Sequence, residues 1–326
     1  MTVQKTLLLV SRRLVLILAA TTATLSVSCD ADAGGVGPPT APAEGSPALR
    51  VVVTTGMIED IVAGVGARHV AVEALMSEGT DPHFYRPSPG DIAKLAAKTT
   101  DIIFYNGLHL EGKMVAVLED LGERKRVVAV TDGIDRSRLR APSEFQNQYD
   151  PHVWFDVSLW IECAKSVRDV LIEGDAEHAA DYRQQAARYI AELTKLHHQV
   201  VLDIARIPEA QRVLITAHDA FGYFGRAYGI KVLGVQGIST DSEAGVRRIE
   251  ELVDFIVTHK IAAVFRESSV SERNIRALVE GSAARGHRVE IGGQLYSDAM
   301  GKKGTPEGTY KGMVRHNVDT IVDALR

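Results

Sequence analysis

The sequence predicts an α/β protein, two lobes of parallel sheet flanked by helices and joined by one long backbone helix. Three observations carry that reading. Short β-branched runs alternate with helix-like stretches in both halves of the chain, the pattern of parallel strands covered on both faces. One segment, Asp175–Ile207, has neither Gly nor Pro and interrupts the alternation. The chain has 326 residues, 45% of them apolar and 24% charged, enough for two lobes with ordinary cores.

Taken in order, residues 1–28 form an export signal. Lys5, Arg12 and Arg13 precede the apolar run Leu14–Leu25 and the small residues Ser26-Val27-Ser28. The run is shorter than the roughly 20 apolar residues a spanning helix needs. Cys29 stands where bacterial lipoprotein signals place their acceptor cysteine, so it is read as a lipidated N-terminus and an anchor to the membrane. Ser11-Arg12-Arg13 also matches the start of a twin-arginine signal, with a loose fit downstream. Residues 29–49, rich in Ala, Gly and Pro, make a flexible tether. Without the signal, 34 basic residues face 42 acidic ones, a formal charge of −8. That balance argues against nucleic acid and against a basic membrane-binding patch.

The N-terminal lobe spans 50–174. Val51–Thr55, Asp101–Tyr105 and Arg126–Val130 read as strands, with a helix over Ile58–Val65. Residues 175–207 read as the linking helix. Tyr182, Ala186, Tyr189, Leu193, Leu196 and Val200 recur at steps of four and three, giving one apolar face. A coiled-coil dimerisation arm is the alternative. The C-terminal lobe spans 208–326, with strands at Val213–Thr216 and Ile261–Phe265, helices over Ser242–His259 and Ser271–Ala284, and a strand-like stretch at Val289–Ile291.

The chemistry lies in four loops. Asp81-Pro82-His83 and Asp150-Pro151-His152 repeat one phrase, and proline fixes each histidine in a rigid turn. One Asp-Pro-His would mean little; two suggest ordered imidazoles suited to a metal. His218 follows a predicted buried strand, where open α/β sheets place ligand residues. Asp298 also follows a strand-like stretch. Singly, each of these is more often a cap or a turn residue.

Together with Thr54-Thr55-Gly56-Met57-Ile58, the run from Asp81 through Tyr85, Pro87 and Pro89 to Asp91, Trp154 after His152, Thr216-Ala217-His218-Asp219-Ala220-Phe221-Gly222-Tyr223-Phe224, Glu267-Ser268-Ser269 and Tyr296-Ser297-Asp298, these loops resemble the zinc/manganese-binding lipoproteins of bacterial ABC importers. The resemblance runs from Val51 to the C-terminus with every motif in order. It implies a metal buried between the lobes, with His83 and His152 as ligands from the first and His218 and Asp298 from the second. It implies one divalent transition metal, zinc before manganese with iron a further candidate, and an ABC permease as partner. It places the monomeric protein in the periplasm or on the cell surface. Asp81, Asp150 and Glu267 are candidates to orient the ligand histidines, and turn formation or surface solvation accounts for them equally well. His69, His109, His178, His259, His287 and His316 lie outside the motifs, and His197-His198 reads as a solvated face of the long helix.

Two departures bear on selectivity. Asp132–Tyr149 contains no histidine where many zinc-specific members carry a His-rich loop, and His218 stands where many manganese-specific members have Glu. Competing readings are a zinc-dependent hydrolase on the same ligands and a carrier of a chelate such as a siderophore or corrinoid. Four protein ligands leave no open position for a catalytic water, and chelate sites use no direct His/Asp cluster. Nothing in these residues argues for adhesion.

Overall fold

A computed structural model describes residues 49–145, 148–241 and 243–326. The export signal, Cys29 and nearly all of the tether lie outside them. Along the chain come β1 (Leu49–Val53), α1 (Gly56–Gly66), β2 (Val70–Ala74), α2 (Pro89–Ala96), β3 (Ile102–Tyr105), α3 (Val115–Gly122) and β4 (Arg126–Ala129). Two helices follow, α4 (Val157–Gly174) and α5 (Ala179–Ile204). The second half holds β5 (Val213–His218), α6 (Gly222–Tyr228), β6 (Lys231–Gln236), α7 (Val246–His259), β7 (Ala263–Glu267), α8 (Arg273–Ala284), β8 (Glu290–Leu295) and α9 (Tyr310–Leu325).

The first four strands form one parallel sheet in the order β2-β1-β3-β4. The second half has two parallel pairs, β5-β6 and β7-β8, with β5 in contact with β7. Both faces of the central strands are buried, which is why they read as unbroken apolar runs. Val51 and Val53 enter the large core around the long helix, whereas Val52 enters a smaller cluster with Leu95, Ile103 and Leu118. In β5, Leu214 faces the large core and Ile215 and Ala217 face an outer cluster under α7 and α8.

The α5 helix has 26 residues, about 39 Å at 1.5 Å per residue. It begins later than its Gly- and Pro-free sequence suggests. The preceding helix α4 ends at Gly174, Asp175 leaves helical geometry, and Ala176–His178 makes a 3-10 turn before α5 starts. Tyr182, Ala186, Leu193, Leu196, Val200 and Ile204 give its buried face, which packs on α1, α4 and α9. Tyr189 donates from its hydroxyl to the half-buried carboxylate of Asp60 in α1, which also accepts from the backbone N–H of Tyr310 in α9. Burial raises the Asp60 pKa.

Helix α4 has no counterpart among the elements read from the sequence. Asp156 caps it by accepting from the N–H of Ser158, and Trp160, Cys163, Ala164, Val167 and Leu171 give it a buried stripe. Cys163 is fully buried in that stripe and makes no disulfide. No helix among the described residues is long and apolar enough to cross a membrane.

Candidate metal centre

The parallel strands direct their C-terminal ends at one seam, and the four candidate ligands lie on loops and strand ends at that side. His218 is the last residue of β5, Asp298 follows β8, and His83 lies in the loop after β2. His152 ends the long connection from β4 and immediately precedes a 3-10 turn, Val153–Phe155.

Each Asp-Pro-His phrase folds on its own aspartate. Asp81 Oδ1 accepts from the N–H of His83 at 2.9 Å, and Asp150 Oδ1 from that of His152 at 3.0 Å. The two aspartates then diverge. Asp81 makes no bond to an imidazole; its second oxygen accepts from the Thr240 hydroxyl at 2.7 Å, across the seam. Asp150 also receives His152 Nδ1 at 2.8 Å. Downstream of His83 the loop is closed by Asp91, whose Oδ2 accepts from the hydroxyls of Tyr85 and Ser88 and the N–H of Ser88, at 2.6–2.8 Å. That explains the Tyr85, Pro89 and Asp91 spacing: Ser88 and Asp91 are the capping box of α2, with Pro89 in its first turn.

Glu267, at the end of β7, treats His218 as Asp150 treats His152. One carboxylate oxygen accepts from the His218 backbone N–H at 2.9 Å and the other from its Nδ1 at 2.5 Å. A carboxylate only accepts, so Nδ1 of each ring carries a proton and the Nε2 atoms of His152 and His218 point into the seam.

The structure brings all four sequence-predicted residues together. His83, His152, His218 and Asp298 are buried, and one ligand atom from each lies within 4.8 Å of the others. Among the described residues they form the one such grouping of three or more His, Cys, Asp or Glu. The Nε2 atoms of His83 and His152 are 3.3 Å apart, and those of His152 and His218 3.4 Å. Asp298 Oδ1 lies 3.3 Å from His152 Nε2 and its Oδ2 3.3 Å from His218 Nε2. Tetrahedral arms of about 2.0–2.1 Å put neighbouring ligand atoms roughly 3.3–3.4 Å apart, so these spacings suit a four-coordinate divalent ion. Asp298 Oδ1 is buried without a hydrogen-bond donor, a costly state unless a cation faces it. The donor set fits a transition metal: three imidazoles and one carboxylate can hold one.

Electrostatics within the cluster are divided. Burial pushes the His83 pKa down to about 3, with His152 and His218 adding to the effect, so this ring is neutral. For His152 burial alone would lower the pKa, but the neighbouring carboxylates of Asp150 and Asp298 overcome it and raise the value. The same contest, with Glu267 and Asp298 on the raising side, lifts His218 well above the usual histidine range. Burial would also raise Asp298, yet His218 and His152 hold it well below the usual carboxylate range.

Residues 51–324 match the family model described as zinc-uptake complex component A, periplasmic. The chain belongs to that family. Within this family, the manganese-binding lipoprotein MntA of Bacillus subtilis is 49% identical over 278 residues, covering 85% of the chain and 90% of the relative. The zinc-binding protein TroA of Treponema pallidum is 46% identical over 285 residues, 87% of the chain and 91% of the relative. The solved structure of that periplasmic zinc-binding protein superposes with a TM-score of 0.83, covering 85% of this chain and 99% of the other.

The remaining histidines serve elsewhere. His69 stacks on His178 with ring centroids 3.9 Å apart, and His287 and His316 bond to the carbonyls of Ile261 and Gln294. His197 departs from its solvated-face reading. It is half-buried, and its Nδ1 lies 3.2 Å from the hydroxyl of Tyr228, because α6 packs along this part of α5; His198 is exposed. Sequence reasoning missed Arg140, whose guanidinium binds the far side of Asp150.

Proposed function

We propose that this protein captures one divalent transition-metal ion outside the cytoplasmic membrane and delivers it to an ABC permease for uptake. His83, His152 and His218 supply Nε2 donors and Asp298 a carboxylate oxygen. The carrying observation is the buried, donor-less oxygen of Asp298, 3.3 Å from His152 Nε2, in a cluster where one ligand atom from each of three imidazoles and one carboxylate lies within 4.8 Å of the others. In this reading residues 50–174 and 208–326 are the two lobes, each giving two ligands across the segment 175–207.

Binding without catalysis follows from how the polar groups around the ion are committed. Asp150 and Glu267 each hold a ligand ring, and Asp81 ties its turn to Thr240, so none of the three is free to act as a general base. The protein works as a monomer, held at the membrane by lipid on Cys29. The family supports export and permease delivery, and the relatives named for manganese and for zinc support a metal cargo.

The test is calorimetric titration of metal-free protein with zinc. One ion per chain is expected. Structural zinc sites are worth roughly 10–16 kcal/mol over four ligands, so His83→Ala or Asp298→Ala should weaken binding by a hundredfold or more. Both residues sit in loops outside the apolar core, and the folds of the variants should persist. Wild-type affinity in both variants would defeat the assignment.

A further inference from the structure

Arg140 and Gly222 face each other across the seam, 82 residues apart in sequence. A Cβ placed on Gly222 would fall 1.3 Å from Arg140 Nη1 and 2.1 Å from its Cζ. No side chain other than hydrogen is compatible with the guanidinium where it lies. Gly222 opens α6, so the bare backbone of the second half forms a slot for an arginine of the first.

In that slot Arg140 grips Asp150. Its Nη1 binds Asp150 Oδ2, leaving Oδ1 for the N–H and Nδ1 of His152. The Asp150 side chain is fully buried, and that of Arg140 is 24% exposed. The backbones are fastened as well. The Asp150 N–H donates to the Arg140 carbonyl at 2.9 Å. The Tyr223 hydroxyl accepts from the Arg140 N–H at 3.0 Å and donates to the Asp150 carbonyl at 2.9 Å. Arg140, Asp150 and His152 thus form a chain of contacts leading from the slot to the centre of the metal site.

We propose that Arg140, seated in the Gly222 slot, is a positioning residue for metal capture: it fixes Asp150, and through it the ring of His152, when the two halves are docked. This rests on His152 being a ligand. Arginine suits the task because its guanidinium is always charged and planar, so its Nη1–Oδ2 bond is directed in a way that a rotating lysine ammonium is not. Groups that hold a metal-bound histidine from behind typically govern ten- to hundredfold in affinity.

The experiment is a double-mutant cycle with zinc affinity as readout, using chelator competition on the exported-form protein. Arg140→Met should lose ten- to hundredfold. Gly222→Ala, which keeps Arg140 but fills its slot, should lose a similar factor. The double variant should bind no worse than the weaker single variant, because both changes break one linkage. Arg140→Lys should recover part of the loss. With saturating cobalt(II), Arg140→Met and Gly222→Ala should show the same altered visible spectrum, which a general loss of packing would not produce. Wild-type affinity in Arg140→Met, losses that multiply in the double variant, or an unaltered cobalt spectrum would each overturn the proposal. His152→Ala separates the two ideas. Retained affinity in that variant defeats the site assignment itself, whereas lost affinity beside an unaffected Arg140→Met defeats only the role of Arg140.

Discussion

The Nε2 atoms of His152 and His218 stand 3.4 Å apart at the seam, and each ring is held from behind by a buried carboxylate, Asp150 for one and Glu267 for the other. Two lone pairs so placed repel unless a proton or a metal ion lies between them. The pair is therefore prepared for a cation from both sides.

Glu267→Gln tests the second carboxylate. Glutamine keeps the shape but offers one acceptor oxygen where His218 presents two N–H groups, and it removes the charge that makes the imidazole a stronger donor. Zinc affinity should fall ten- to hundredfold with the metal-free melting temperature little changed. An unchanged affinity, measured by competition with a chromophoric chelator, would mean that Glu267 only caps the backbone.

Binding should release protons. In the metal-free protein His152 and His218 have raised pKa values, so below those values both rings carry a proton that the metal must displace. His83, held near 3, is neutral and contributes none. The sign follows: affinity falls as pH falls, by up to about two orders of magnitude per pH unit while both rings are protonated. Titration calorimetry in buffers of different ionisation enthalpy counts the protons, and a count of zero contradicts the protonated pair.

Zinc should outcompete manganese. Divalent affinity at nitrogen-rich sites rises toward the end of the first transition row, and manganese favours oxygen donors. Manganese-loaded protein given an equimolar amount of zinc should exchange its ion; resistance would reverse the order. His218→Glu trades a nitrogen for a carboxylate and should narrow the preference. A zinc-to-manganese ratio unmoved by that change would remove His218 from the ligand set.

Release should proceed by local loop movement, with no wide opening. The 26-residue α5 packs on α1, α4 and α9, and Lys303–Glu59, Thr240–Asp81 and Trp154–Ser297 contacts add ties across the seam. Small-angle scattering of metal-free and metal-loaded protein should nearly superimpose. A clear change in radius of gyration would refute release by local movement alone.

Three of the four candidate ligands carry a local signal in the sequence, and Asp298 joins them only through the family resemblance. Asp-Pro-His writes its own turn into three consecutive residues, and His218 follows an apolar run, Val213–Thr216, that reads as a buried strand. Asp81 and Asp150 occupy the same phrase yet do different work, since what separates them is tertiary: Thr240 stands beside one and Arg140 beside the other. The Arg140–Gly222 contact leaves no local trace. Among the elements, β2 escaped notice because Val70–Ala74 alternates buried and exposed positions over only five residues. Helix α4 was overlooked although Trp160, Cys163, Ala164, Val167 and Leu171 keep a helical period. The late start of α5 turns on Asp175, which accepts from the Tyr182 hydroxyl and lies 2.7 Å from His178 Nδ1, a corner that composition does not reveal.

The buried thiol of Cys163 bears on the protein's selectivity as a carrier. Burial pushes its pKa upward, so at neutral pH no thiolate forms and the sulfur faces only the packed interior of α4 and its neighbours. Thiolates are soft ligands that compete strongly for zinc, for copper(I) and for heavier thiophilic ions. A surface thiolate would give such ions a second berth. With its sulfur sealed away, Cys163 presents no exposed thiolate to a thiophilic ion, and among the described residues the imidazole-carboxylate cluster has no rival grouping.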